Sequence, residues 1–484
     1  MHNLFQDDNI RTNFDYIELK NRLRLWLRNT DIDNMHEKAL QRNFYEECMK
    51  VYKQNIGDEL KYTDGFKGTI FRSLFERLMP DFCRIDYYNL DIRSSTSSLD
   101  VECLPIHIIS VLELKKDLQD SNIGQLVHYL RIILDYSPGS RLFIMGAMTD
   151  FHDIRFAKVS RSIDGDNIEY TTSAKALDDE YEFLLHYLTT FFIADPSKFG
   201  YCRLSSLSDH IRIHNRLLGI GASSMVFNCF LNNDQTSEYV LKISNKSVDK
   251  EVSIYKELYS DKYRIIKVHE YALLFLHPPG RNISKENLLN NIDVIWKQIK
   301  KTHEIKFLHC DIRRSNIIEL FNNKTNSYEI LLIDWGSSIK IGCKVKYNGT
   351  LSTASTYILK ELSNNRNRSI EYLRIDDCIS FMKMILLEII SEKYKKAISS
   401  KVQQGSLTGI IVVYDQIKDS FKTKQPIIMK VIEFLEKYRS ILNDEKLNSY
   451  IDQCINHRHC LIQLENEQIN IDYFNDLERN IFSS

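Results

Sequence analysis

The sequence has few prolines and glycines, no cluster of cysteines that indicates disulfides, and no long apolar run. Its 484 residues include only 7 prolines and 16 glycines, and its 10 cysteines are spread singly. That spread excludes the dense disulfide framework of a small secreted domain and favours a reducing compartment. No apolar run reaches the roughly 18–20 residues that cross a bilayer, and the first residues lack the apolar core of a secretory signal. We therefore expect an intracellular protein, of the cytoplasm or nucleus, without a membrane partner.

An excess of charge of one sign is also missing. The formal net charge is −1, with charged residues at 27% and hydrophobic residues at 43%. This balance excludes a polybasic nucleic-acid coat, so any nucleic-acid surface must be local. The length predicts two or three domains of about 100–200 residues each. The composition is that of a globular chain with enough apolar residues for more than one core.

The best candidate for a domain boundary combines the scarce helix-breaking residues. Pro196, Gly200 and a cluster of serines follow directly after an apolar and aromatic helical pattern. In the chain beyond them, strand patterns precede mainly helical patterns, which predicts two lobes. The predicted segments are a first domain over 1–195, a linker over 196–210, and a second domain over 211–484 with lobes at about 211–280 and about 281–484.

Helices and strands alternate along the first domain. Residues 16–78 carry apolar residues at three-to-four spacing and are predicted to be helical. A β-branched run at 106–116 predicts a strand, 122–136 predicts an amphipathic helix, and 141–161 predicts two further strands joined by a turn. Interleaved strands and helices favour an α/β first domain within a chain of the α+β class.

Two glycines lie between strand-like segments at the start of the second domain. Gly219 and Gly221 open a turn that continues through Ser224 and Val226. Glycine allows the backbone to approach phosphate groups closely. A single Gly-x-Gly is nevertheless more often an ordinary hairpin turn. Lys242 lies on the next strand, where one lysine is usually an exposed charge.

A more specific pattern follows in the helical lobe. Asn316 comes five residues after Asp311, and Asp334 follows a short apolar strand. Asp334 and Asn316 offer the hard oxygen ligands that Mg²⁺ prefers. Asp311 can accept a hydroxyl proton, and Arg313 can stabilise charge on a phosphoryl group during its transfer.

In this order the segments resemble the protein-kinase signature set, over about 270 residues from Arg203 onward. The resemblance implies ATP and Mg²⁺ as cofactors and the Ser or Thr hydroxyl of a protein substrate as acceptor. The implied roles are phosphate binding by Gly219, Gly221, Ser224, Val226 and Lys242, anchoring of that lysine by Glu251 or its rival Glu257, a catalytic base in Asp311, Mg²⁺ ligands in Asn316 and Asp334, a hinge at 277–280, and support of the catalytic loop by Asp377.

Several positions depart from the kinase pattern. Ser224 replaces the third glycine, Cys310 the usual arginine, Trp335 the usual phenylalanine and Arg313 the usual lysine. Loss of that arginine disfavours control by phosphorylation of the activation loop, and no clear Ala-Pro-Glu element follows residues 349–362. The residue sequence of the catalytic loop most resembles that of divergent fungal-type kinases. A pseudokinase scaffold and a small-molecule phosphotransferase stay open as alternatives.

Glu113 and Lys115 end the β-branched strand of the first domain. A charged pair at a strand end is usually a solvated edge. Here Asp86 lies on a strand-like segment upstream, and two carboxylates on adjacent strands can share a divalent cation. The lysine beside them can polarise an attacking water, and Gln125 follows on the next helix. These four residues are a possible nuclease site.

The order of these residues resembles the Asp…Glu-x-Lys motif of restriction-endonuclease-like PD-(D/E)XK domains, over about 40–195. Asp91 or Asp100 can take the place of Asp86, because a long loop intervenes. The resemblance implies a module that binds or cleaves DNA. An N-terminal helix offers basic residues that either contact phosphates or form a solvated face: Lys20, Arg22, Arg24 and Arg28. A nuclease-like domain before a kinase-like domain resembles Crinkler-type effectors, which implies action in a host or competitor nucleus.

Overall fold

The chain folds into two compact units of mixed α and β structure, as the predicted α+β class requires. The computed structural model describes residues 14–49, 58–62, 80–86, 105–162, 167–171, 174–175, 182–201, 211–221, 223–231, 234–259, 264–322, 326–420 and 427–458, together with residues 461, 477 and 479. The first unit comprises 1–248 and 264–277, and the second comprises 249–263 and 278–484. This division passes between residues 277 and 278, in the predicted hinge. The domain boundary at 196–210 stays a prediction.

A seven-stranded sheet forms the centre of the first unit. Its strands are β1 Asp58–Tyr62, β2 Phe82–Asp86, β3 Ile108–Leu114, β4 Phe143–Thr149, β5 Asp153–Ser160, β6 Asn167–Tyr170 and β7 Ala174–Lys175. The strand order is β1-β2-β3-β4-β5-β6, with β7 also paired to β5. β3 and β4 run parallel, and the other described pairs are antiparallel. β3 is buried along its whole length, as its β-branched sequence predicts.

Helices cover both faces of this sheet. They are α1 Phe14–Asn29, α2 Glu37–Phe44, α3 Asp120–Asp135 and α4 Glu182–Ile193, with a π-helical turn at Tyr45–Met49 after α2. One face packs against α1, α2 and α4 through a core that contains Trp26, Phe44 and Phe191. The other face packs against α3 through Leu126 and Leu130. Each helix thus buries its apolar face on the sheet, in an α/β/α arrangement.

One part of the predicted N-terminal helical region is a strand. The sequence predicts helix throughout 16–78, but residues 58–62 form β1, which pairs with β2 from Asp58↔Asp86 to Tyr62↔Phe82. That prediction was wrong because pairing with a buried strand outweighs the helix preference of the Glu, Leu and Lys residues in β1. The apolar helical pattern at 66–78 lies outside the described residues.

A second sheet belongs to the same unit. Its strands are β8 Ile211–Ile220, β9 Ser224–Leu231, β10 Asp234–Ser244, β11 Ile265–His269 and β12 Ala272–Phe275, in the antiparallel order β11-β12-β10-β9-β8. Ile106, which precedes β3, packs into its core. The Gly139 N–H donates to the Ser244 carbonyl at 3.2 Å, and the Asn245 amide donates to the Asp135 carbonyl at 2.9 Å. These contacts join the two sheets.

The second unit is mainly helical. Its helices are α5 Asp249–Tyr259, α6 Lys285–Asn290, α7 Ile292–Glu304, α8 Thr356–Asn364, α9 Arg374–Ile389, α10 Glu392–Gln403, α11 Leu407–Ser420, α12 Ile427–Lys437 and α13 Asp444–Asn456. Its strands are β13 Arg281–Asn282, β14 Phe307–Leu308, β15 Ile317–Asn322, β16 Ser327–Leu332, β17 Ile339–Lys340, β18 Lys344–Lys346 and β19 Ser369–Glu371. They form the small sheets β13-β15-β16, β14-β17 and β18-β19. No helix in the described part of the chain combines the length and apolar character that a membrane crossing needs.

Helix α9 is buried on almost every side. Its buried residues include Asp376, Asp377 and Lys383 beside a majority of apolar side chains. A charged group inside a protein is stable only with a partner, since burial removes its hydration. The fold must therefore bring hydrogen-bond or ionic partners to these three residues, and their partners organise the second unit.

Two glycines of the first unit test its packing. Gly200 has φ +73, and a Cβ atom there would lie 2.1 Å from the Phe143 carbonyl oxygen, whereas Gly124 in α3 has open space. We expect Gly200→Ala to lower the free energy of unfolding by at least about 2 kcal/mol, through left-handed strain and overlap. The matched variant Gly124→Ala should raise it by up to about 1 kcal/mol. Urea denaturation measures both, and an unchanged midpoint for Gly200→Ala would contradict this packing.

Candidate functional site

The predicted phosphate-binding residues lie together on the second sheet of the first unit. Gly219 pairs with Val226, and Val226 pairs with Lys242 on the next strand. These three residues therefore form one row across β8, β9 and β10. The Gly221 N–H donates to the Ser224 carbonyl at 2.8 Å, which closes a tight turn at the end of the row. A Cβ atom at Gly219 would meet nothing within 4 Å, so the backbone there is accessible to a ligand.

The two candidate anchors for the lysine differ in burial. Lys242 is 5% exposed, and Glu251 in the first turn of α5 is 3% exposed. Glu257, two turns further along the helix, is exposed. A buried carboxylate is retained in a fold only with a compensating partner, whereas an exposed one is solvated. Glu251 is thus the buried one of the two candidates, and its pairing with Lys242 stays a prediction.

Asp311 lies at the centre of a polar cluster in the second unit. The Asn316 amide donates to the Asp311 side chain at 2.9 Å and to its backbone carbonyl at 2.8 Å. The Arg313 Nε lies 3.3 Å from the same carboxylate oxygen, Oδ2. The other oxygen, Oδ1, accepts a hydrogen bond from the Thr350 hydroxyl at 2.5 Å. The carboxylate is thus oriented by an amide and a cation, and it accepts a hydrogen bond from a hydroxyl group.

Asp377 supports the loop that carries Asp311, as the sequence predicts. Its carboxylate accepts the backbone N–H of His309 at 2.8 Å and of Cys310 at 2.9 Å. The His303 ring nitrogen lies 3.1 Å from the same carboxylate. Cys310 has φ +66, a conformation that non-glycine residues rarely adopt. The buried aspartate holds this strained turn, and so fixes the direction of Asp311.

Asp334 is joined to Asn316 through the strand end between them. The Ile333 N–H donates to the Asn316 carbonyl at 2.8 Å, which brings the two predicted Mg²⁺ ligands to one end of β15 and β16. Asp334 has φ +68, and its N–H donates to the Tyr255 hydroxyl of α5 at 3.1 Å. The Lys250 ammonium, also of α5, donates to the Gly336 carbonyl at 3.0 Å. Helix α5 is therefore tied to the segment that carries Asp334.

The Cys310 thiol, at the position where the sequence resemblance to kinases leads one to expect an arginine, carries no positive charge. Burial raises the pKa of Cys310 well above its ordinary value, and the nearby Asp377 and Asp376 carboxylates raise it further. A neutral, buried thiol is a weak nucleophile and a weak hydrogen-bond donor. The described cysteines are free thiols, and Cys343 is the exposed one among them. Cys310 therefore serves packing rather than recognition of an anion.

A second polar cluster lies at the carboxyl end of β3 in the first unit. The Asp81 N–H donates to Glu113 Oε1 at 2.9 Å, and the Leu114 N–H donates to Asp81 Oδ2 at 2.9 Å. The Lys115 ammonium lies 3.0 Å from Glu113 and 3.9 Å from Asp81. It is also 3.9 Å from Glu37, at the start of α2. Sequence reasoning missed Asp81, although the Pro-Asp dipeptide before β2 is the signal that could have found it.

Asp86 does not join this cluster. β2 is antiparallel to β3, with Phe82 opposite Leu112 and Ile85 opposite Ile108. The start of β2 therefore faces Glu113, and Asp86 lies four residues away from Phe82, or about 13 Å along the strand. The geometry replaces Asp86 by Asp81 as the partner of Glu113. The alternatives Asp91 and Asp100 lie outside the described residues.

Gln125 and the basic N-terminal helix have partners of their own. The Gln125 amide donates to the Tyr129 hydroxyl at 2.6 Å, one turn along α3. Burial raises the pKa of Tyr129, and the Glu113 carboxylate is the next largest cause, so this pair borders the cluster. On α1, Lys20 and Arg24 form ion pairs with Glu182 of α4. These two cations therefore stabilise helix packing, which favours the alternative that treats the basic face as structural.

The carboxylates of this cluster are crowded and poorly hydrated. Burial raises the pKa of Asp81 to about 6, although Lys115 opposes the shift. Burial likewise holds the pKa of Glu113 well above its ordinary value, with repulsion from Asp81 as the second cause. Mg²⁺ commonly binds through one or two carboxylates and keeps several waters, so this pair fits such an ion. Nowhere in the described ranges do three His, Cys, Asp or Glu side chains converge as a metal cage.

Comparisons with known proteins add little to this geometry. Neither a protein-family model nor a curated protein matches the chain. Among solved structures, the chain is similar to the kinase PK-1 of Cydia pomonella granulovirus, with 15% identity and a TM-score of 0.29. That similarity covers 37% of this chain and 70% of the viral kinase. A TM-score of this size carries no argument about fold or activity.

The crowding at Asp81 predicts a pH dependence of stability. A carboxyl whose pKa is raised by folding binds its proton more tightly in the folded chain. Its contribution to stability is complete below the unfolded value and is lost as the pH rises through about 6. We therefore expect the free energy of unfolding, measured in urea without divalent cations, to fall from pH 5 to pH 7. Asp81→Asn should flatten that slope, and Asp120→Asn, at an exposed ion pair, should retain it.

Proposed function

We propose that the chain transfers the terminal phosphoryl group of ATP to Ser or Thr hydroxyls of a protein substrate, with Mg²⁺ as the metal. The observation that carries this proposal is the environment of Asp311. Its carboxylate is oriented by Asn316 and accepts a hydrogen bond from a hydroxyl group, that of Thr350. A base for phosphoryl transfer needs this ability, since it must accept or orient the proton of the attacking hydroxyl.

The remaining polar groups fit the cofactors. Both side-chain hydrogen bonds of Asn316 within the described chain use its amide nitrogen, which leaves the amide oxygen for a cation beside Asp334. ATP supplies the phosphoryl group when bound, and Mg²⁺ neutralises the charge that develops on it. Lys242 in the row with Gly219 and Val226 provides a positive charge for phosphate oxygens. Arg313 neutralises charge next to the base.

The completeness of this set favours turnover over a pseudokinase scaffold. A scaffold that only binds ATP has no need for a base, and Asp311 is held by Asn316 while Asp377 fixes its loop. The choice between protein and small-molecule acceptors is a matter for assay, because both share this chemistry. A panel of sugar and aminoglycoside acceptors separates the two, and transfer to those alone would favour the small-molecule alternative.

Replacement of the base tests the proposal. Asp311→Ala should reduce phosphate transfer from labelled ATP to a generic basic protein by at least about 100-fold, because general-base catalysis contributes about 10²–10⁴. Binding of ATP should persist, since Asp311 is not among its proposed ligands. Glu433→Gln, in an exposed ion pair with Lys418, is the matched control and should keep full activity. Full activity of Asp311→Ala would contradict the assignment of Asp311 as the base. ATP binding by an inactive wild-type chain would favour the pseudokinase alternative.

We also infer that the first unit carries a metal-dependent site for DNA phosphodiesters. Asp81, Glu113 and Lys115 supply two carboxylates for a divalent cation and an ammonium that can polarise water. The cluster lies at the start of β2 and the end of β3 and is bordered by Glu37 of α2. Its role in DNA cleavage or mere DNA binding, and any action in a host or competitor nucleus, remain predictions from the sequence resemblance.

The register of β2 predicts which of the aspartates at its two ends, Asp81 or Asp86, is needed for this site. We expect nicking of supercoiled plasmid in Mg²⁺ to be lost in Asp81→Asn and Lys115→Met. Asp86→Asn, at the far end of the same strand, should nick as the wild type does. The opposite result, with Asp86 essential and Asp81 dispensable, would reject the assignment. Plasmid retardation without nicking by the wild type would reduce the site to a binding function.

A further inference from the structure

Residues 347–357, which follow β18 and lead into α8, form a segment that contacts the site around Asp311. We call it the acceptor segment. The Thr350 hydroxyl donates to Asp311, and the Thr353 hydroxyl donates to the Ile312 carbonyl at 3.2 Å. A Cβ atom at Gly349 would lie 1.9 Å from the Cys310 carbonyl oxygen, so glycine alone permits this approach. A segment so close to the base is well placed to present an acceptor hydroxyl.

A buried ion pair holds the far end of the acceptor segment. The Lys383 ammonium donates to the Ala354 carbonyl at 2.8 Å and lies 3.0 Å from Glu436 of α12. The same carboxylate oxygen of Glu436 accepts the Thr356 N–H at 2.7 Å. The Lys383 ammonium also lies over the ring of Tyr414, at 4.6 Å from its centroid. One ion pair therefore binds the backbone of the segment at two points.

A second ion pair binds the residue between those two points. Asp376 accepts two hydrogen bonds from Arg439, at 2.8 and 2.6 Å. It also accepts the Ser355 hydroxyl at 2.7 Å, and Ser355 caps α8 by accepting the Ile358 N–H. The Arg439 guanidinium stacks on Tyr357 at 3.8 Å from the ring centroid. A buried pair of this kind is costly to break on one side, because the remaining charge is left without compensation.

We propose that the pairs Lys383–Glu436 and Asp376–Arg439 position the acceptor segment, and that they order it without phosphorylation. This inference rests on the proposed phosphotransfer. The two cations that bind the segment are each already paired with a carboxylate, so a phosphate group would have to displace one of them. Cys310, before the base, is buried and carries no positive charge. Lys383 and Glu436 are thus positioning residues for a protein acceptor. The sequence alone left open whether the acceptor is a protein or a small molecule.

The test compares variants of the full-length chain after treatment with a broad-specificity phosphatase. Lys383→Met removes the cation, and Glu436→Gln is milder, because its amide oxygen can still accept the Thr356 N–H. Lys418→Met, at an exposed ion pair between α11 and α12, is the matched control. The kinetic measurement is phosphate transfer to a generic basic protein, with acceptor and ATP varied separately. The second measurement is hydrogen exchange of the backbone amides of residues 353–358, which does not depend on catalysis.

We expect the dephosphorylated wild type to be active. Lys383→Met should raise the acceptor KM by about tenfold, which corresponds to the loss of a charged hydrogen bond, and Glu436→Gln should raise it by a smaller factor. The kcat and the KM for ATP should stay within about twofold, and the amides should exchange about tenfold faster or more. Unchanged exchange or an unchanged acceptor KM in both variants would overturn the inference. So would a wild type that transfers phosphate only when phosphorylated. A wild type inactive in every state counts against the proposed function, and hydrogen exchange then decides the anchoring by itself.

Discussion

The organisation of the second unit depends on two adjacent buried carboxylates at the start of α9. Asp377 accepts two backbone N–H groups of the loop that carries Asp311, and Asp376 accepts the Ser355 hydroxyl and the Arg439 guanidinium. Both carboxylates are fully buried and have no contact with solvent. Burial raises the pKa of Asp376 despite its arginine partner. Each must therefore recruit donors from the chain, and both loops of the proposed active site take their shape from that requirement.

Helix α9 thereby links the loop that carries Asp311 to the acceptor segment through one rigid element. The helix N-terminus favours negative charge, which lowers the cost of placing two aspartates side by side in its first turn. Two turns later, Lys383 contributes a positive charge to the same segment. Three charged residues on one buried helix thus hold the strained turn at Cys310 and the acceptor segment against each other. Asp311 and the acceptor segment are therefore positioned by the same helix.

The sequence predicted those parts of the sites whose spacing along the chain is short. Asp311 and Asn316 are five residues apart, and the structure brings them into contact, because a single turn connects them. Asp81 and Glu113 are distant in sequence and meet through strand register, which periodicity does not reveal. Asp86, the residue that the sequence suggested, lies at the end of β2 that is away from Glu113. Strand β1 was predicted as helix for a related reason, since its partner β2 determines its conformation.

The contacts between the two sheets of the first unit limit which parts of this chain can be separated during evolution. The row of Gly219, Val226 and Lys242 belongs to a sheet whose core includes Ile106 and whose Ser244 carbonyl accepts the Gly139 N–H. A gene rearrangement that moved residues 211–484 alone to another protein would expose apolar surface of that sheet and remove the hydrogen bond from Gly139. The segment from residue 211 onward therefore depends for its packing on residues that lie before it in the chain. Positions at these contacts, such as Ile106 and Gly139, are expected to change together with their partners in the second sheet over evolutionary time.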